Sequence, residues 1–349
     1  MRTTGGITSN LSLQQNIIRG TVTNTLPYAL SDIYILAGSD YIALGNLASG
    51  STQQVSLKLS SNVSNNPANG QQQSIADQIA SKQGIAAGPY SSYTNTSQSQ
   101  DEPHRHAAML EALSGGYCDG TGPCYRSSTV QIIPANGGLT RRLLYSNTSA
   151  HDPLLLTGSP VTLIGWTQTP ADPASNVTIN GQTLNGTRET LIQAPLDISY
   201  SGNIRIPTSF VASQISDLQQ EQNGSIQEAS PGTYTMTVGS MTFEYTLPGT
   251  PQLQKSALSF RASSNPARVS TQNAGTTTDI NHIQTGLYNW KTKQWDSISF
   301  NQFVLSVSDA NSYIGPGNRV LLNLTNPDAN LGTTIFDTPT LEMQATVSS

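Results

Sequence analysis

Pro231-Gly232-Thr233-Tyr234-Thr235-Met236-Thr237-Val238 opens on a turn pair and then alternates polar with apolar residues, the period of a half-buried β-strand. The strand pattern returns in Phe243-Glu244-Tyr245, Leu258-Ser259-Phe260, Phe303-Val304-Leu305-Ser306-Val307, Val320-Leu321-Leu322-Asn323-Leu324 and Leu341-Glu342-Met343, separated by Gly, Pro and Asn. Six such strands over about 120 residues are enough for an independent antiparallel sandwich or jelly roll.

Toward the N-terminus, the same alternation marks Ile18-Arg19-Gly20-Thr21-Val22, Asp32-Ile33-Tyr34-Ile35-Leu36 and Val55-Ser56-Leu57-Lys58-Leu59. Turns are expected at Asn24-Thr25-Leu26-Pro27-Tyr28 and over Leu44 to Gly50. Further strands are expected at Val161 to Trp166, Val177 to Ile179, Leu191-Ile192 and Ile204 to Ile206. Between these two sets, residues 61–150 are rich in Asn, Gln, Ser and Gly and carry two helical patches. One begins at the cap Ser74, with Ile75 and Ile79 a turn apart and Gly84 at its exit. The other follows Asp101 and runs from Pro103 to Leu113, with Met109, Leu110 and Leu113 on one face. A third helix is expected after Ser209, where Val211, Ile215 and Leu218 fall at i, i+4 and i+7, closing at Asn223-Gly224.

A chain of 349 residues exceeds one ordinary sandwich. The expected fold is mainly β, with two antiparallel β-sandwich or jelly-roll domains: residues 1–228, carrying the helix-containing insertion at about 61–150, and residues 229–349. Charged residues make up 11% of the chain against about 25% in typical soluble domains, so Ser, Thr, Asn and Gln must solvate the surface. That composition suits an extracytoplasmic location. The formal net charge is −5, with neither sign clustered, and this excludes the basic stripe that nucleic acid or an anionic membrane requires. Residues 1–20 lack the basic and apolar regions of a secretion signal, and no apolar run is long enough to span a bilayer, so any membrane attachment is expected through a segment absent from this sequence.

Cys118 and Cys124 enclose Asp119-Gly120-Thr121-Gly122-Pro123, a turn-forming loop that a disulfide can close. So small a ring contributes about 2–2.5 kcal/mol and pins one loop only. A second Cys pair, which a zinc site would need, does not exist, and no metal or cofactor is expected. Asp101-Glu102-Pro103-His104-Arg105-His106 holds the densest set of metal-ligand types, yet reads as a helix start, because His104 and His106 at i, i+2 point to different faces. His151-Asp152 and the strand-flanking acids Asp197, Glu244, Asp296 and Asp337 lack any catalytic motif. An isopeptide bond would need a buried Lys such as Lys58. Trp166 continues an apolar strand and belongs in a core. Tyr288, Trp290 and Trp295 fall in one hairpin, where their rings either stack on a sugar face or pack inward.

Two stretches resemble known domains. Gly20-Thr21-Val22-Thr23-Asn24, Leu30 to Leu36, Leu44-Gly45-Asn46-Leu47 and Gly50 are similar to exported β-domains of bacterial envelope proteins of unknown function. Leu287 to Asp296, with Tyr313-Ile314 and Phe336-Asp337 downstream, resembles carbohydrate-binding-like jelly rolls attached to such proteins. No catalytic residue is implied by either resemblance. The expected function is that of a non-catalytic binding module of a cell-envelope protein, recognising glycan or a cell-surface protein partner. A self-assembling surface-layer or filament subunit, with self-association, is the alternative, and a hydrolase with an unrecognised carboxylate pair is the third reading.

Overall fold

The computed structural model describes residues 6–60, 75–85, 101–113, 117–118, 122–123, 129–135, 138–145, 154, 160–168, 178–179, 182–183, 189–220, 224–230, 233–249, 253–262, 276–277, 280–328, 330 and 332–347. The fold is mainly β and of β-sandwich type, built of antiparallel sheets with two α-helices among the described residues. Ser74, Gly115, Cys124, His151 and Asp152 lie outside the described residues.

Two compact units are present. The first comprises residues 1–124 and 152–200. Strands β1 (Ile7–Gln15) and β2 (Ile17–Asn24) form a hairpin, and β5 (Thr52–Lys58) pairs with the far side of β2. The link from β2 to β3 (Leu30–Ala37) is held by Asn24, whose buried side chain donates to the carbonyls of Tyr28 and Leu47 and accepts from the Leu26 N–H. A second sheet orders Thr190–Pro195, Val161–Thr167, β3 and β4 (Asp40–Leu47).

Every side chain of Val161–Thr167 and of Ile33 to Ala37 is buried, so both faces of this sheet are covered. One covering layer is helical. Helices α1 (Ile75–Lys82) and α2 (Glu102–Leu113) lay Ile75, Ala76, Ile79 and Leu110 on Tyr34, Leu36, Ile164 and Trp166. Strands β1, β2 and β5 alternate in burial, with Leu11, Leu13, Ile18, Val22, Val55 and Leu57 turned inward. Both helices fall where the periodicity places them, but Leu113, at the C-terminal end of α2, is exposed.

The second unit comprises residues 125–151 and 201–349. A seven-stranded sheet orders Gln294–Ile298, Gln284–Asn289, Arg319–Asn326, Gly239–Thr246, Ala212–Gln220, Gly138–Tyr145 and Thr129–Ala135. A smaller sheet runs Ile226–Ser230, Thr233–Met236, Thr333–Asp337 and Thr276–Thr277, and another pairs Val304–Val307, Leu253–Arg261 and Thr340–Val347. Aromatic contacts join neighbouring strands and, through Tyr234–Phe243 and Tyr245–Phe260, different sheets. Tyr234 meets Phe243 and Phe336 with ring centroids 6.2 and 6.1 Å apart, and Tyr245 meets Phe260 at 5.5 Å.

Three expectations are corrected. The division lies between Tyr200 and Ser201 and not near residue 228. Residues 212–220 are a strand, not a helix. A β-bulge between Ile215 and Asp217 resets the alternation, so that Ile215 and Leu218 are both buried at a three-residue spacing that imitates a helix. Finally, Thr129–Ala135 and Gly138–Tyr145, both within the expected insertion, pair as an antiparallel hairpin of the second unit with Ala135 opposite Gly138.

Candidate functional site

The aromatic hairpin of the second unit forms as its spacing predicts. Strands Gln284–Asn289 and Gln294–Ile298 pair with Tyr288 opposite Trp295, and the latter strand is the edge of the seven-stranded sheet. The tip is set by Asn289, whose side-chain oxygen accepts from the N–H groups of Lys291 and Thr292, while Lys293 takes the left-handed conformation at φ 59°. Tyr288 stands edge-on to both indoles, 5.0 Å from Trp290 and 5.2 Å from Trp295 between ring centroids.

The two indoles differ in their surroundings. Trp290 is half-buried, with Gly315 against its ring and the Arg319 guanidinium 5.4 Å from the ring centroid. A methyl group at Gly315 would fall 2.2 Å from the indole, so only glycine permits that approach. Trp295 instead lies across Gly286, where an added Cβ would come within 3.3 Å of its ring, and it remains 45% exposed. Asp296 accepts from the Asn289 amide at 2.9 Å and the Tyr313 hydroxyl at 2.8 Å, and these two bonds hold its carboxyl below the usual carboxylate range.

A second constellation lies within the first unit and gathers residues that are remote in sequence. Asp101 caps α2 by accepting from the His104 N–H and also bonds the His104 ring. Two residues on, the His106 side chain is 1% exposed and stacks on Trp166, with ring centroids 4.1 Å apart and 13° between planes. Its Nδ1 lies 2.8 Å from Asp32 Oδ2. Asp32 reaches it from a bulged part of β3 at φ 47°, a left-handed position that Asp tolerates, and its N–H donates to Asn46. On the other side of the ring, Nε2 is 3.5 Å from Glu189 Oε1 and 3.9 Å from Glu102 Oε1.

Glu189, whose side chain is 6% exposed, receives the fork of Arg105 through Nε and Nη2, each at 3.0 Å. That fork holds the Glu189 carboxyl below its ordinary range against the opposing effect of burial, and His106 adds to the lowering. Asp32, Glu102 and His106 offer metal-ligand atoms within 4.8 Å of one another. His104 and His106 separate as their i, i+2 spacing predicts, but nothing in the sequence places either against Asp32 or Glu189. The available signal was a histidine one turn before the core residue Leu110 on the same helix face.

Other candidates fall elsewhere. Glu244 accepts from Gln214 and faces Arg319, Asp337 accepts from Thr233, and His282 bonds the Thr334 hydroxyl. Lys58 is exposed, which removes the buried lysine that an isopeptide bond needs. Tyr117–Cys118 and Gly122–Pro123 form a small hairpin that sets the Cys118 backbone opposite Gly122. No helix among the described residues is long and apolar enough to cross a membrane.

Residues 6–199 match the family model described as Domain of unknown function (DUF8725), which spans more than half of the chain. The chain belongs to the DUF8725 family. Residues 205–345 match a second model, Domain of unknown function (DUF8815), so the two matches flank the division between Tyr200 and Ser201. A search of curated proteins finds no match. Among solved structures, pT26-6p aligns over 99% of this DUF8725 chain at 8% identity and a TM-score of 0.16; the chain spans 66% of that protein's length, and so remote a likeness carries no structural argument.

Proposed function

We propose that this chain is a non-catalytic binding module of an extracytoplasmic envelope protein, and that its glycan ligand stacks on the Trp295 indole. The observation that carries this reading is a large ring laid across Gly286, braced edge-on by Tyr288 and left 45% exposed on an edge strand. Burying that face against a planar apolar surface, such as one side of a pyranose ring, recovers hydrophobic area that folding leaves in water. Lys291 and Lys293, exposed at the hairpin tip, supply hydrogen-bond donors for hydroxyl or carboxylate substituents.

Trp290 is the supporting ring, packed between Tyr288 and Gly315, and Tyr288 links it to the platform. The low charge content and the polar uncharged surface support the extracytoplasmic location. A glycan array probed with the full chain and with Trp295→Ala tests the proposal. Binding to at least one glycan class that is lost in Trp295→Ala supports it; absence of binding to every glycan removes it.

A further inference from the structure

We propose that the glycan is acidic: an oligosaccharide of carboxylated sugars, one ring of which stacks on Trp295 while a carboxylate is received by the Arg319 guanidinium. This inference rests on the reading of Trp295 as a platform and adds the charge and the minimum length of its ligand. The pairing of Gly286 with Asn323 sets the geometry. Gly286 and Tyr288 alternate onto one side of their strand, and Asn323, Leu321 and Arg319 onto the same side of the next. The intervening Val320, Leu322 and Leu324 are buried, so the aromatic rings and Arg319 share the outward side of the sheet.

Arg319 is held ready for an anion. Its guanidinium lies 5.4 Å from the Trp290 ring centroid, and its Nε donates to the Pro316 carbonyl at 3.1 Å. Gly315 backs the same indole, so Trp290 steadies the cation and is not itself a sugar platform. Glu244 Oε2 stands 3.9 Å from Nη1, beyond hydrogen-bond length. Both terminal nitrogens are therefore without a hydrogen bond among the described residues, on a side chain that is 43% exposed. A planar fork fixed in this way matches a carboxylate, whose two oxygens accept in parallel.

The surrounding charge points the same way. Lys291 and Lys293, two of the chain's five lysines, are exposed at the adjoining hairpin tip. With Arg319 they set three positive charges against the single negative charge of Glu244, on a chain whose net charge is −5. Asp296 faces the other way: its place opposite Leu287 puts it on the inward side of the hairpin, where Asn289 and Tyr313 hold its carboxylate. So local a reversal of sign favours an anionic ligand and steers its encounter. The strands of Trp295 and Arg319 have one strand between them, which sets the two residues about 10 Å apart across the sheet. One pyranose ring does not span that distance, so the ligand links at least two sugars.

The test reads the full chain on an array that prints carboxylated oligosaccharides (galacturonate, glucuronate, mannuronate and sialylated forms) beside their methyl esters, which keep the rings and lose the charge, with sulfated glycans as a third set. At least one acid should bind about tenfold or more tightly than its ester, and added salt should narrow that preference. Arg319→Gln should bring acid and ester to equal affinity. Arg319→Lys, which keeps the charge but loses the fork, should restore part of the preference. Replacing both exposed lysines, Lys291→Gln with Lys293→Gln, should weaken binding of the acid and flatten its salt dependence. If acid and ester bind the parent equally, if the preference survives intact in Arg319→Gln, or if only sulfated glycans bind, this inference is overturned, while loss of that binding in Trp295→Ala would leave the platform standing. If no glycan binds, both readings fall.

Discussion

Trp166 and Trp295 both sit on β-strands beside a polar partner, yet the first is sealed beneath α2 with His106 stacked on its ring and the second lies across Gly286 with nearly half its surface in water. The difference follows from what covers each sheet. In the first unit α1 and α2 supply a layer over β3 and Val161–Thr167, so a tryptophan there becomes core and the polar groups around it must satisfy one another. In the second unit Gln294–Ile298 is an edge strand, and Gly286, diagonal to Trp295 on the neighbouring strand, leaves room for the indole to lie across it. One tryptophan is therefore part of a core, whereas the other keeps nearly half its surface in water.

Substitutions that reverse these roles break the comparison most directly. Trp166→Ala removes a fully buried ring and should cost about 3–5 kcal/mol in denaturant melts followed by a first-unit probe, with no change in glycan binding. Arg105→Ala strands the buried Glu189 carboxylate and should cost roughly 2–3 kcal/mol, discounted for the partial exposure of the arginine; Glu189→Gln in the same background should recover part of that loss. Gly315→Ala drives a methyl into the Trp290 ring and should cost about 1–3 kcal/mol in the second unit while weakening glycan binding through Tyr288. Trp295→Ala should change stability by less than about 1 kcal/mol yet abolish glycan binding, the inverse of Trp166→Ala.

The smallest effect concerns pH. Because the bonds from Asn289 and Tyr313 hold the Asp296 carboxyl below its ordinary value of 3.8, its contribution to the hairpin is in place above that value and is lost as pH falls through the lower folded-state value. Tryptophan fluorescence during acid titration should show a step below pH 3.8 that is missing in Asp296→Asn.

Much of this architecture was legible as alternation, because strands covered on one face must repeat with period two. The runs at 18–22, 55–59, 234–238 and 320–324 fall on or within one residue of observed strands, or overlap them. Where the pattern misled, a local irregularity had changed its phase. The bulge after Ile215 spaced two buried residues like a helix, and the paired strands Thr129–Ala135 and Gly138–Tyr145 were submerged in a polar, Asn-rich stretch. The aromatic platform was readable because its three rings are neighbours in sequence. The His106 cluster was not, since Asp32 and Glu189 lie 74 and 84 residues from their α2 partners and only the helix-on-sheet packing brings them together.

The chain has three tryptophans, at 166, 290 and 295, and fluorine NMR of fluorotryptophan-labelled protein gives each its own resonance. Titration with a glycan that scores on the array is predicted to shift the Trp295 resonance most, Trp290 less, and Trp166 not at all. A glycan that binds while leaving Trp295 unmoved would contradict the assignment of the platform.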